Sequence, residues 1–177
     1  MTIMGRGQGR STSVPVQSWM SDQPRVCHPQ DSLDQAIRSF WDGDCGMVPV
    51  VSEHSSGLLG VLTDRDACIA MWSRGESAAR VPVESVMTLD VVSVRAEDSV
   101  GRAHELMREH RVRRLPVLGA EGQIVGILSL SDLARRATEL PAEDRTRVSR
   151  EIAETFAAVC GGPSEPCPAE EPLLLTR

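Results

Sequence analysis

The chain has 177 residues, enough for one domain with a sizeable core or for two small, mutually dependent ones. Its 41% hydrophobic and 25% charged content is that of a globular protein in water, and a net charge of −6 with a pI near 5.2 disfavours nucleic acid as a partner. No run approaches the ~20 apolar residues of a membrane span and no apolar stretch follows the N-terminal charges, so no membrane association and a cytoplasmic location are expected.

In chain order, residues 1–14 are rich in Gly, Ser and Thr without any period and read as a flexible arm. A unit then begins near residue 15 and begins again near residue 81. Val16-Gln17-Ser18-Trp19-Met20 realigns with Val83-Glu84-Ser85-Val86-Met87 at an offset of 67. The same offset brings Asp31-Ser32 onto Asp98-Ser99 and Pro49-Val50 onto Pro116-Val117. After one residue is dropped the offset is 66, and Gly60, Leu62 and Asp66 meet Gly126, Leu128 and Asp132. Matches spread over the whole unit with a single gap mark an internal duplication, residues 15–80 and 81–140.

Each unit reads as strand, helix, strand, strand, helix. A short extended segment, around Arg25 to Cys27 or Val91 to Val94, precedes a helix. The first such helix has Asp31 or Ser32 as its cap, with Gln35 at capping-box spacing from Ser32. Leu33, Ala36, Ile37 and Phe40 form its buried face, matched by Val100, Ala103, Leu106 and Met107 in the second unit. Two strands then pair across a turn, Val48–Val51 with Leu58–Leu62, and Leu115–Leu118 with Ile124–Leu128. Pro49 and Pro116 cannot donate to a ladder and are expected at an edge or a strand start. Helices Asp66–Ser73 and Asp132–Leu140 close the units, which are too small to stand alone and should pack sheet to sheet. A last helix, Ala142 to Cys160 within residues 141–162, carries the apolar stripe Val148, Ile152, Phe156, Val159. It could cover its own module or meet a second copy. Residues 163–177 are Pro- and Glu-rich and read as a loose tail.

The most informative stretch is Gly60-Val61-Leu62-Thr63-Asp64-Arg65-Asp66 with its second copy, Gly126-Ile127-Leu128-Ser129-Leu130-Ser131-Asp132. A strand running into a helix leaves the first N–H groups unpaired and partly positive, which suits a phosphate. Thr63 and Ser129 can cap the helix or reach an anion. Asp66 and Asp132 can serve as first-turn acids or accept from the hydroxyls of a ribose. The cluster Arg111, Arg113, Arg114 is either a solvated face or a phosphate path. His104 and His110 are read as surface residues. Five cysteines at irregular spacing form no CxxC pair and read as reduced, mostly buried thiols; Cys27-His28 is a faint hint of metal, and no metal site is expected. No nucleophile–base pair and no Walker-type loop is present, so no enzyme is expected.

Gly-Val-Leu-Thr-Asp-Arg-Asp beside Arg-Arg-Leu-Pro-Val, in duplicate, resembles the cystathionine-β-synthase (CBS) domain, two of which make the regulatory unit called a Bateman module. The resemblance covers about residues 16 to 138 and is nearest to the stand-alone bacterial type. It implies an α/β (α+β) fold: two βαββα repeats packed as a pseudo-two-fold pair, with clefts that can bind AMP, ADP, ATP, S-adenosylmethionine or another adenosyl ligand and no required cofactor. By the same resemblance Asp132 would hold the ribose, Ser129 would contact phosphate or ribose, and Arg113 and Arg114 would lie along the phosphate path. The adenine side would come from around Val26, Cys27 and His28. The other pocket would use Thr63 and Asp66, with Val92 to Val94 beside the base. Because the first repeat has Gly46-Met47 where the second has Arg113-Arg114, the second-repeat pocket is expected to hold phosphorylated ligands more tightly. A homodimer is also implied, with an unidentified protein target possible; a scaffold with vestigial pockets is the rival reading.

Overall fold

The computed structural model describes residues 13–53 and 56–161; the expected tail, and the expected arm up to residue 12, lie outside the described residues. The elements are β1 (Ser21–Asp22), α1 (Leu33–Gly43), β2 (Met47–Val51), β3 (Leu58–Thr63), α2 (Asp64–Arg74), β4 (Val94–Arg95), α3 (Val100–His110), β5 (Arg114–Leu118), β6 (Ile124–Ser129), α4 (Leu130–Glu139) and α5 (Ala142–Cys160). The Ser32–Gln35 capping box starts α1, and matching boxes on Thr63–Asp66 and Ser129–Asp132 start α2 and α4. Hairpin β2–β3 stands in one sheet, and β1-β6-β5-β4 forms the other.

The duplication is visible in the pairings. Cys27 bridges Val50 in parallel as Val94 pairs with Val117, and Thr88 pairs with Val61 as Ser21 pairs with Ile127. The antiparallel bridges Pro15–Ser99 and Ser32–Pro82 are likewise one contact seen twice. Gly57 and Gln123, equivalent to each other at the offset of 66, bridge directly and so lie at the pseudo-two-fold axis.

The lead-in of each repeat packs on the other repeat. Val16 and Trp19 are buried with Val94, Met107, Leu115 and Leu128, whereas Val83 is buried with Leu33, Val50 and Leu62. Backbone hydrogen bonds hold the exchange symmetrically: Val16 N–H to Asp98 O at 2.8 Å and Val83 N–H to Asp31 O at 2.8 Å. There are thus two cores, one per repeat, each containing a segment of the other's sequence.

Gly60 and Gly126 are glycine because this lead-in passes too close for a side chain. A Cβ on Gly126 would lie 2.8 Å from the Ser21 carbonyl oxygen and would overlap Met20 Sδ; on Gly60 it would lie 2.8 Å from the Thr88 carbonyl. Neither glycine has positive φ, so space rather than backbone conformation decides.

Four expectations are corrected. Pro116 sits inside β5, between β6 and β4, not at an edge or start, whereas Pro49 lies within β2, an edge strand of the two-stranded sheet, as expected. The Pro49 carbonyl accepts from Cys27 N–H at 2.9 Å, so its ring nitrogen lies on the side of that short parallel segment, where no long ladder demands a donor. His104 is buried, because α5 covers α3 and α4. On α5 the position turned inward beside Val148 is Thr155, and Phe156 is 56% exposed. Of the four described cysteines Cys27 is buried, Cys45 is half-buried, and Cys68 and Cys160 are exposed. Burial pushes the Cys27 thiol up to about 11, leaving it inert.

His104 ties α5 to α3. Its Nδ1 lies 2.8 Å from Thr155 Oγ1, which also accepts from Arg108 at 3.2 Å and donates to the Glu151 carbonyl at 2.9 Å. Its Nε2 is buried with no partner among the described residues. Burial, and then the Arg108 charge, lower its pKa to about 4.

Gly126→Ala or Gly60→Ala is expected to cost about 1–3 kcal/mol, since backbone must shift, and to lower Tm by several degrees in a thermal melt. The second expectation concerns acid. With a depressed folded-state pKa, the contribution of neutral His104 is complete above its ordinary 6.5 and is withdrawn as pH falls toward about 4. The loss should total about 3 kcal/mol, and urea unfolding of His104→Leu between pH 7 and 4.5 should show a flatter pH dependence than the parent.

Candidate functional site

A cleft of about 630 Å³ opens between the repeats. Repeat two contributes Arg114 at the start of β5, Ile127 and Ser129 on β6, and Ser131, Asp132 and Arg135 on α4. The segment 21–25 forms another wall, and residues 43–47, the turn from α1 into β2, form the third. Ser129, Asp132 and Arg114 line this one cleft.

Asp132 is 6% exposed and fully engaged. One carboxylate oxygen accepts from Ser129 N–H at 2.9 Å and Ser129 Oγ at 2.6 Å, closing the cap of α4. The other accepts from Ser21 Oγ at 3.0 Å and the Arg135 guanidinium at 2.6 Å. The exchanged lead-in thus reaches the carboxylate that faces the cleft. The capping role and the position in the cleft belong to the same side chain.

Other expected site residues lie elsewhere. Arg113 is exposed and outside the cleft lining; its carbonyl accepts from Leu130 N–H at 3.1 Å. Neighbours on an extended chain point to opposite faces, so Arg113 and Arg114 do not serve one path together. Cys27 is in the first core, and Val26 lines a separate, mainly apolar hollow with Pro24, Val51, Ile124 and Val125. The wall of the cleft at this end is Ser21 to Arg25 rather than Val26 to His28, because only from Cys27 onward does the chain enter the first core. Thr63 and Asp66 form the cap of α2, with Thr63 Oγ1 donating to Asp66 at 2.6 Å. Val92 packs against the second core and Val94 is buried in it. None of these four lines either of the two cavities described here. Gly46-Met47 and Arg114, expected to equip different pockets, line the same cleft.

Arg25 and Arg135 also line the cleft, beyond the residues expected from the sequence. Arg135 had a legible signal, three residues beyond Asp132 and so on the same helical face. Arg25 had none, because its place depends on the exchange of lead-ins.

Asp132→Ala is expected to destabilise the free protein by about 1–3 kcal/mol, more than Asp66→Ala, because it removes the bonds to Ser21 and Arg135 as well as the cap. Thermal melts without added ligand check this; equal losses would contradict the extra role of Asp132.

The CBS domain family matches residues 16–73 and again 83–139. The CBS domain-containing protein YhcV of Bacillus subtilis is 33% identical over 119 residues, covering 67% of this chain and 82% of the relative. The inosine-5'-monophosphate dehydrogenase of Methanocaldococcus jannaschii is 31% identical over 133 residues, 75% of this chain but 25% of that enzyme. Among solved structures, CBSX2 in complex with AMP superposes with a TM-score of 0.62 at 26% identity, covering 71% of this chain and 96% of that one. Two matched segments, each with the strand–cap–carboxylate turn and joined about a pseudo-two-fold axis, make the conclusion plain: the chain belongs to the CBS domain family, as a tandem pair.

Proposed function

We propose that this protein is a non-catalytic regulatory sensor that binds an adenine nucleotide or other adenosyl compound in the cleft between its two repeats. The observation that carries the reading is the joint construction of that cleft. A capped carboxylate, Asp132, stands in one wall and Arg114 in the same repeat faces the turn 43–47 of the other. Ligand there touches both repeats, so occupancy can report on their relative position. That CBSX2 holds AMP in a related fold supports the choice of ligand class. AMP, ADP, ATP and S-adenosylmethionine are the compounds to try. Thr63 and Asp66 would serve a second site only if a ligand displaced their mutual cap. A cytoplasmic location fits the four described cysteines, all free thiols.

The rival reading, a scaffold with vestigial pockets, is favoured by one fact: both oxygens of Asp132 already have partners. A ligand must replace the Arg135 and Ser21 bonds. A thermal-shift and calorimetric screen decides. A ligand at a hundred times its Kd should add about 2.7 kcal/mol of stability. Asp132→Ala should weaken binding about tenfold or more, while Asp66→Ala leaves it unchanged. No shift with any adenosyl compound favours the scaffold.

We also propose a homodimer through α1 and α2. On repeat two, the α3–α4 face carrying His104, Arg108, Leu133 and Ala137 is covered by α5. At the repeat offsets its counterpart on repeat one carries Ile37, Trp41, Ala67 and Met71, with Trp41 87% exposed. That apolar face lacks a covering helix among the described residues, and a second copy related by a two-fold axis would bury it. Sedimentation at micromolar concentration should give a dimer, and Trp41→Glu a monomer; a monomeric parent would contradict the arrangement.

A further inference from the structure

The donors that fill Asp132 are not held alike. Ser129 supplies its N–H and its hydroxyl as the cap of α4. Ser21 supplies a hydroxyl from a segment whose backbone is already paired with β6, opposite Ile127. The last donor is the Arg135 guanidinium, 2.6 Å from the oxygen that Ser21 also meets. Its side chain is 63% exposed, and the guanidinium makes no other bond among the described residues. A carboxylate buried in an empty cleft needs such a partner, because an unsatisfied ionised oxygen away from water is costly. Three residues beyond Asp132, Arg135 can run back along α4 to its first turn. The helix start is partly positive and suits an anion better than a cation, so it is Asp132 that keeps the guanidinium there. Water can receive an exposed guanidinium at little cost when another donor arrives.

Nothing comparable stands at the equivalent carboxylate of repeat one. At the repeat offsets Arg135 corresponds to Ile69 and Ser21 to Thr88. Asp66 keeps the cap bonds with Thr63 and, among the described residues, has neither of the other two.

We infer that Arg135 is a built-in competitor of the ligand. It closes the empty cleft by occupying the acceptor that a ligand hydroxyl needs, and it sets the affinity of the site because it has to be displaced. Of the two donors on that oxygen Arg135 yields first, since Ser21 is anchored by the strand pairing and Arg135 by one bond. The inference rests on the adenosyl reading, in which a ribose hydroxyl is the arriving donor. Its sign separates it from an ordinary contact. Loss of a residue that holds the ligand weakens binding, whereas loss of a competitor tightens it. The competitor is charged and a ribose is not, so salt weakens the ion pair and favours the ligand.

The test uses the full chain, Arg135→Met, Asp132→Ala and the double variant. Adenosine is the probe, because it carries the hydroxyls without a charge. In calorimetry it should bind Arg135→Met about threefold to tenfold more tightly than the parent. Added sodium chloride should tighten its binding to the parent and leave Arg135→Met unmoved. In thermal melts without ligand, Arg135→Met should lower Tm by about one to a few degrees, and should lower it no further once Asp132→Ala is present. Adenosine affinity that falls or stays level in Arg135→Met, or that ignores salt in the parent, would overturn the inference. Losses of Tm that simply add in the double variant would overturn it too, since the pair would then not form in solution. If adenosine binds neither parent nor Arg135→Met while the melts show the pair, the adenosyl reading falls and Arg135 stands as the closure of the empty cleft.

Discussion

The structure depends on the close passage of each lead-in over a glycine of the other repeat. At Gly126 the chain carrying Met20 and Ser21 lies where a Cβ would be, and at Gly60 the chain carrying Met87 and Thr88 does the same. These contacts convert two units, each with a modest core, into one. Val16 and Trp19 complete the second core and Val83 the first, so neither core is whole without a segment encoded in the other repeat. Separation of the repeats would open both cores at once, which makes the pair thermodynamically a single object.

The cleft follows from that exchange. Once Ser21 is paired beside β6, the chain from Asp22 to Arg25 must cross from the second repeat to the first, and it forms the wall of the groove as it does so. Ser21 then bonds Asp132, and Arg25 comes to rest on Gly43. A carboxylate whose local duty is to cap α4 is thereby placed in a chamber with contributions from both repeats. Capping and binding need not compete for explanation. The cap holds one oxygen of Asp132, and the other oxygen is held by groups that a ligand could replace.

The duplication was legible because it is a property of residue identity at fixed offset. Helix starts were legible because a hydroxyl followed at three residues by an acid or amide makes a local structure; Ser32, Thr63 and Ser129 all became caps. The exchange was not legible, since nothing in Val16 to Met20 says which of two similar cores will receive it. The same gap affects the site: the resemblance puts Val26 and Cys27 on the adenine side, while the segment that lines this cleft is Ser21 to Arg25. His104 and Phe156 depart from expectation for another reason. Periodicity locates an apolar stripe but not a polar pair, and the helix α5 turns Thr155 inward because it can meet His104 and Arg108.

Pseudo-symmetry then shows where the copies have diverged. His104 and Arg108 on α3 suit a helix with Thr155 at their centre, whereas Ile37 and Trp41 at the equivalent sites suit an apolar partner. Gly46 opposite Arg114 gives one groove a guanidinium with a seat, and the reverse combination, Arg113 opposite Met47, gives the other side none. The repeats share a scaffold and differ in what each face accepts.

The exchange itself is open to a direct measurement. In a methyl-labelled sample, nuclear Overhauser contacts from the Met20 methyl should reach the α-protons of Gly126, and those from Met87 should reach Gly60, in keeping with the close approach of each pair. Contacts from Met20 to Gly60 and from Met87 to Gly126 instead would mean that each lead-in stays with its own repeat, and the jointly built cleft would have no basis.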